Sequence, residues 1–516
     1  MKKKRVFAKT NEIKIIFFSM IIGVLAGLVS VLYRYALTNA EHISTEMYGF
    51  FGRNKSLLPI LFIILIVMGL IVGLLVKKFH LISGSGIPQL KAEVTGYIKG
   101  NWFTTLVFKF IGGVVGILAG LSLGREGPSI QLGASVASGV TSKIKFTENE
   151  KRILLASGAS AGLASAFNAP LAGVMFAIEE VFKYISNTVL LSTLVAAVCA
   201  DFTSKLFFGS GFSFEFLIEE DIPIKHLWVL VVLGVAIGLL GVVYNVTLIK
   251  AQKIYAIIGE KIGIFKMTIP FLIAGILGLV FPVVMGGGHH VVEELSIQAS
   301  LTLLIAIFVV KFLFSMISFG SGAPGGIFFP LLVLGALLGG IFAKICIPAL
   351  GLDDNLFYNF VVIAMAAYFT AIVRAPMTGI VLMIEMTGNM RQLLPLIITS
   401  TIAYIVAEKT KNEPIYDALL HNLLHSKNFR RKVVTKEEVN FESVVQIGSA
   451  VIDRKIGESG IHSECEITMI KRNNKDIIPT DKTVIKPGDL LIITTTEEYE
   501  EEVRDNIDSI TNEKKL

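Results

Sequence analysis

Leu123-Gly124-Arg125-Glu126-Gly127-Pro128-Ser129-Ile130 sets two opposite charges and two glycines inside otherwise apolar sequence. A carboxylate costs roughly 2.5–3.5 kcal/mol at the centre of a membrane-spanning helix, so Glu126 must face a cavity, a partner or a permeant species. Gly124 and Gly127 loosen the backbone, and Pro128 suits the first helical position, where its missing N–H is no loss. The stretch predicts a helix start at membrane depth. Unpaired N–H groups at such a start, with the positive end of the helix dipole behind them, make an anion site.

Of the 516 residues, 53% are hydrophobic and 17% charged, and the mean hydropathy is +0.69, values a soluble globular domain hardly reaches. The chain therefore reads as an integral membrane protein. Apolar runs recur from about Ile13 to about Val406, many broken by Gly or Pro, which predicts an all-α polytopic fold with some short, tilted or re-entrant helices. The first run, Ile13 to Leu37, follows Met1-Lys2-Lys3-Lys4-Arg5. It is too long for a signal-peptide core and lacks a small-residue cleavage site, so it reads as a retained helix with its N-terminus inside. A polar connection is expected from about Asn39 to Lys55, then a second apolar run from Leu57 to Val76. Lys77, Lys78, Lys409, Lys411, Arg430 and Arg431 flank apolar runs as cytoplasmic ends do, placing both termini in the cytoplasm. The net charge of +6 follows from these flanks and needs no nucleic-acid polymer as partner. Cys199, Cys346 and Cys465 are isolated, so neither a disulfide framework nor a zinc site is indicated.

Ser85, between Gly84 and Gly86 and just before Ile87-Pro88, presents a hydroxyl at a backbone break; an ordinary turn at a membrane surface fits the same residues. Downstream, Asn168-Ala169-Pro170 starts a helix that ends in Glu179-Glu180. A helix C-terminus disfavours negative charge, so the paired acids are either solvated at a mouth of the pathway or functional. The second half repeats the first weakly. Pro128–Ala134 matches Pro330–Ala336 at an offset of 202, and Asn168–Gly173 matches Arg374–Gly379 at an offset of 206. Corresponding Gly/Pro-interrupted segments in two halves indicate inverted-topology repeats with a site between broken helices. Gly325-Gly326-Ile327-Phe328-Phe329-Pro330 is then the uncharged counterpart of the Glu126 stretch, able to bare the N–H groups of Ile327 and Phe328 to an anion or simply to pack closely. His289-His290 with Glu293-Glu294 has metal-like spacing after a flexible Gly286-Gly287-Gly288, but no further ligand cluster accompanies it, and no metal is expected. Tyr416, on a last polar-faced helix, either reaches back toward a pore or anchors at the interface.

Composition changes near Lys427. Residues 426–436 read as a linker, and 437–516 as a small α+β domain. Strands are expected at Glu438–Ile447, Cys465–Lys471, Asp476–Ile478 and Leu490–Thr494, with turns at Asn473-Asn474 and Lys486–Asp489. Helices are expected at Ser449–Ile456 and Glu497–Ile510. The tail has no GxGxxG and is too short for a nucleotide-binding Rossmann unit.

These residues together resemble the CLC family of chloride channels and chloride/proton exchangers. The match covers roughly 12–422 and rests on Gly84–Pro88, Gly124–Pro128, Gly325–Pro330 and Tyr416, in the family's order and at similar spacing. The resemblance implies a CLC fold over 1–425, with repeat halves at about 12–215 and 225–425, in a homodimer whose subunits each hold a pore. It implies a central chloride held by the hydroxyls of Ser85 and Tyr416 and the N–H groups of Ile327 and Phe328, with Arg125 and Gly127 beside it. Glu126 is similar to the family's gating glutamate, and Glu180 to the inner proton glutamate that separates exchangers from channels. Phe329 stands where many members have alanine, and Ser85 favours chloride over nitrate or fluoride. The tail resembles the C-terminal module of regulators of potassium conductance (RCK-C) in Ile447–Ser449, Ile470–Asn473, Ile477–Pro479 and Lys486–Leu490. Such modules dimerise, and some bind cyclic di-AMP, for which Ile461, His462, Ile478 and Pro479 are the candidate contacts.

The expected function is chloride/proton exchange across the cytoplasmic membrane, without a cofactor and regulated through the tail. A passive chloride channel is the nearest rival, and Glu180 argues against it. A potassium pathway would need carbonyl or carboxylate oxygens where these helix starts offer N–H groups. An intramembrane enzyme lacks the constellation of groups that Glu126 or Ser85 would need.

Overall fold

The structure, a computed structural model, describes residues 12–183, 186–214, 216, 218, 220–426, 438–446, 448–472, 475–496 and 499–511. The cationic residues 2–5, all but the first residue of the expected linker, Ile447 and the turn at 473–474 lie outside them. Two compact units form, one helical and one bearing a small sheet.

The first eight helices of the helical unit are α1 (Glu12–Arg53), α2 (Leu58–Lys78), α3 (Ile87–Val94), α4 (Trp102–Leu118), α5 (Glu126–Lys143), α6 (Glu148–Phe167), α7 (Pro170–Phe176) and α8 (Asn187–Phe208). Eight counterparts follow in the same order: α9 (Trp228–Ile262), α10 (Thr268–Val280), α11 (His289–Glu293), α12 (Leu301–Gly320), α13 (Phe328–Leu350), α14 (Phe357–Val373), α15 (Pro376–Thr387) and α16 (Leu393–Lys409). α17 (Ile415–Ser426) ends the unit. Among the described residues, seven helical segments are long and apolar enough to cross a membrane. α3, α7 and α11 are far too short, as expected of broken helices. The most enclosed element is α14, buried at every residue but Tyr358.

Contacts between the halves are reciprocal, which is the mark of a two-fold relation. Gly124 N–H donates to the Gly326 carbonyl and Gly326 N–H to the Gly124 carbonyl, each at 2.7 Å. Glu179 accepts from the N–H groups of Met377 and Thr378 at the start of α15 (3.0 and 2.7 Å). Glu385 accepts from those of Leu171 and Ala172 at the start of α7 (3.0 and 2.8 Å). Asn168 and Arg374, one residue before each Ala-Pro start, share a left-handed backbone with φ of 55° and 68°. The weak repeat in the sequence is thus a pseudo-two-fold axis, and the halves have inverted topology.

Several local expectations are corrected. The polar connection expected from Asn39 to Lys55 is helical as far as Arg53, because no proline interrupts it and Thr38, Asn39 and Thr45 bond back to carbonyls four residues earlier. α5 begins at Glu126, with Pro128 at its third position, still within the turn whose N–H groups need no partner. The segment Ala177–Phe182 carrying the paired acids is a π-helical turn.

The smaller unit has an antiparallel sheet in the order β1 (Glu438–Val444), β4 (Leu490–Thr496), β2 (Cys465–Arg472), β3 (Lys475–Ile477), packed with α18 (Glu500–Thr511). No helix forms at Ser449–Ile456. Asp453 takes a φ of 58°, its N–H bonds the Ile485 carbonyl at 2.9 Å, and Lys455 bridges Val484, so bonds to the segment before β4 replace helical ones. Phe441, Val451, Ile470, Leu491, Ile493, Val503 and Ile507 form the core. The buried Asp489 receives two bonds of 2.7 Å from Arg472 and one of 2.8 Å from Lys486 N–H, fixing the turn before β4. Burial pushes the Cys465 thiol up to about 11, so it stays protonated and packs as a small apolar group.

Candidate anion and proton site

Three backbone breaks meet at the centre of the helical unit: the Ser85 loop before α3, the start of α5 and the start of α13. Gly127 allows the approach, since a Cβ there would lie 2.9 Å from the Ser85 Cβ and 3.2 Å from the Gly326 Cα. Gly84 N–H donates to the Gly322 carbonyl and Gly325 N–H to the Gly84 carbonyl, lacing the Ser85 loop to the chain before α13.

Glu126 is fully buried at this junction. Its carboxylate faces its own N–H and that of Phe329, the first turns of α5 and α13. Neither oxygen makes a well-formed hydrogen bond, and the Arg125 Nε lies 3.7 Å from Oε1 without a partner of its own. Two helix N-termini thus converge on one loosely held carboxylate, a place where N–H groups suit an anion of any kind. Ile327, the N-cap of α13, and Phe328 in its first turn are fully buried at the same start and have no carbonyl one turn earlier to bond. The Phe329 ring packs against Phe167, Phe214 and His289, and its N–H is what meets Glu126.

Ser85 is buried, and its Oγ accepts from Ile87 N–H at 3.3 Å, leaving its own proton to donate. Tyr416 is fully buried on α17, which packs against α3, and its hydroxyl has no hydrogen-bond partner. Tyr416 lies within electrostatic reach of both Glu126 and Glu180. An unpartnered phenol and a free serine proton add two O–H donors to the N–H groups of this region, a lining that suits a halide.

The two acids read as one pair separate in role. Glu179 caps α15, which accounts for its charge. Glu180 has a side chain only 4% exposed, so it is not a solvated surface group, and it accepts from Lys91 at 2.6 Å. Lys91 also pairs with Asp417, which in turn binds Lys183 at 2.6 Å.

Sequence reading missed two buried lysines. Lys109 donates to the carbonyls of Ile82 (2.9 Å) and Gly84 (2.5 Å), and Lys311 to those of Val284 (2.9 Å) and Gly286 (2.7 Å). Every one of these residues is displaced by 202 positions from its counterpart, so each half holds one backbone break with a buried lysine amine. The shared offset was the signal that could have found them. Two cavities follow the same symmetry. One of about 580 Å³ reaches Ser85 and is lined by Lys253, Lys266 and Asn422; the other, about 850 Å³, reaches Gly286, Gly288, His289, His290 and Glu41. His289 stacks on Phe329 with ring centroids 3.6 Å apart, and His290 Nε2 contacts the Val283 carbonyl at 2.9 Å. Among the described residues no group of three His, Cys, Asp or Glu is placed to hold a metal.

The tail candidates are not brought together. Ile461 and His462 lie beside α18, where His462 N–H bonds Asn506 at 2.9 Å, whereas Ile478 and Pro479 follow the edge strand β3, with Ile478 77% exposed.

A helical membrane unit of two inverted halves, with broken helices converging on a centre rich in N–H and O–H donors, defines a secondary transporter or channel for anions. Residues 68–408 match the voltage gated chloride channel family, and 441–508 match the TrkA-C domain. Over 444 residues the chain is 35% identical to the H(+)/Cl(-) exchange transporter ClcA of Vibrio vulnificus, covering 83% of this chain and 94% of that protein. Identity to the same-named transporter of Salmonella typhimurium is 34% over 436 residues, 80% of this chain and 89% of that one. The crystal structure of a slow cyanobacterial Cl-/H+ antiporter superposes with a TM-score of 0.76 at 30% identity, covering 80% of this chain and 99% of that one. A CLC-type fluoride/proton antiporter shares the fold at a TM-score of 0.65 and 24% identity, covering 79% of this chain and 97% of that one. The chain belongs to the CLC family of voltage-gated chloride channels and chloride/proton exchangers. It is a multi-pass membrane transporter rather than an enzyme, with a TrkA-C domain, the RCK-C type, at its C-terminal end.

Proposed function

We propose that this protein exchanges chloride for protons across the cytoplasmic membrane, with both termini cytoplasmic, as a homodimer with one pathway per subunit. The observation that carries the reading is the Glu126 carboxylate held loosely against the N-termini of α5 and α13. Ionised, it competes with chloride for those N–H groups. Once it takes a proton its charge is gone and chloride can enter, and loss of the proton displaces the anion again. Ser85 and Tyr416 hold the central chloride from one side, the N–H groups of Ile327 and Phe328 from the other, while Arg125 and Gly127 shape the approach. Chloride reaches this site through the two cavities, and protons enter at Glu180 and leave by Glu126.

Glu180, buried and salt-bridged, supports exchange over passive conduction, because a channel has no use for a second acid off the anion path. The test is purified protein in liposomes, with chloride and proton movements recorded together. A chloride gradient that drives protons uphill supports exchange, and chloride flux that leaves pH unchanged identifies a channel. Ser85→Ala and Tyr416→Ala should each weaken chloride binding by about 10–100-fold, the worth of a hydrogen bond to a charged group of roughly 1.5–3 kcal/mol. Unchanged affinity by calorimetry in both variants would remove these residues from the site.

The TrkA-C domain supports regulation through the tail, and cyclic di-AMP, a nucleotide second messenger, is the proposed ligand, held between the two tails of the homodimer so that Ile461, His462, Ile478 and Pro479 need not come from one tail. A ligand shifts a transport equilibrium only by its differential affinity for two states, so the effect on flux should saturate with binding. Flux through the full-length protein measured over a cyclic di-AMP titration decides it; a flat response up to high micromolar ligand rules the nucleotide out.

A further inference from the structure

Four charged side chains meet where α3, the π turn after α7 and α17 come together. Lys91 Nζ on α3 lies 2.6 Å from Glu180 and also bonds Asp417, whose second oxygen is 2.6 Å from Lys183. The side chains of Lys91 and Glu180 are 6% and 4% exposed, Asp417 is 22% exposed, and Lys183 reaches solvent at 53%. Asp417 directly follows Tyr416, and Lys91 is six positions beyond Ser85 on the helix that the Ser85 loop begins. The acid at the proton entrance is thus joined through a single lysine to both elements that present hydroxyls to the anion.

We propose that Lys91 and Asp417 are positioning residues that couple the protonation of Glu180 to the placement of Tyr416 at the anion site, an inference that rests on the exchange reading above. Lys91 is shared between two carboxylates only while both are ionised. A proton taken from cytosolic water onto the Glu180 carboxylate removes one of its two attractions, and Lys91 then pairs with Asp417 alone. In a buried, weakly screened setting that change in attraction is large compared with the same change at a surface. Tyr416 is fully buried and cannot adjust independently of α17, so a shift of Asp417 is passed to its hydroxyl. Lys183 holds Asp417 from the solvent side and limits how far it follows Lys91. An alternative is a static ion pair that serves only to pin α3, α17 and the π turn together.

The ratio of protons to chloride separates the two readings, because a reversal potential in liposomes does not depend on how much protein is active. With the full-length protein, Asp417→Asn and Lys91→Met should each lower the ratio at least about twofold, and Lys183→Met, at an exposed group, should lower it less. Lys91→Arg should restore it, since a guanidinium keeps the charge and can hold two carboxylates. A wild-type ratio in both Asp417→Asn and Lys91→Met, with only the rate changed, overturns the proposal and leaves a static pair. A wild-type protein that moves no protons against a chloride gradient overturns the exchange reading and this inference with it.

Discussion

In Glu126→Gln, proton movement is expected to fall to the leak level while chloride still crosses. The carboxylate sits fully buried against N–H groups of Glu126 and Phe329, and its charge is what lets it compete with chloride there. Glutamine has the same shape without charge, so it stands in for the protonated acid and leaves both helix starts free for an anion. An amide cannot take up and release a proton at physiological pH, so every crossing is uncoupled. The Arg125 guanidinium, 3.7 Å from Glu126 in the native chain, then faces the anion alone, and chloride binding near α5 should tighten. Recording pH and chloride together in liposomes checks this. Protons pumped uphill by the variant at the wild-type rate would exclude Glu126 from the proton path.

Glu180→Ala should likewise abolish proton transport, but for a different reason, and it should leave the gate at Glu126 in working order. Glu180 is buried and joined to Lys91 rather than to the N–H groups at the starts of α5 and α13, so its loss removes the entry step and leaves those donors in place. The lysine is not stranded, because Asp417 still pairs with it, and the variant is expected to fold. Chloride flux should remain, with its dependence on Glu126 intact. A variant that still exchanges at the native ratio would show that protons enter elsewhere. Both results should differ from Tyr416→Ala, which weakens anion binding and loosens coupling without removing either acid.

What could be read in advance followed from local chemistry. Glycines and prolines mark where a helix must start whatever surrounds it, so the breaks at Ser85, Glu126, Ile327 and Pro170 were visible as residue patterns. The repeat was visible too, because two copies of one solution keep the same Gly/Pro positions. Errors had two sources, local side-chain bonds that let a polar stretch stay helical and partners that come from elsewhere in the chain. The stretch from Asn39 to Arg53 looks polar enough for a loop yet stays helical, and Ser449–Ile456 has helical composition yet gives the N–H groups of Asp453 and Ile456 to the carbonyls of Ile485 and Thr483.

The amino-acid sequence by itself determined that this chain crosses a membrane, that its two halves are built alike, and that Glu126 stands at an anion-attracting helix start. The helix start depends on residues within one turn of one another, the crossing on long apolar runs, and the likeness of the halves on Gly/Pro patterns that recur at offsets of 202 and 206. Only the tertiary structure decided that Glu179 caps a helix while Glu180 lies against Lys91, since adjacent acids look the same until their neighbours are known. The partners of Glu180, Asp417 and the buried Lys109 and Lys311 arrive from 25 to 326 residues away. A charge buried at such a distance leaves no local pattern, and its stability comes entirely from the fold that encloses it.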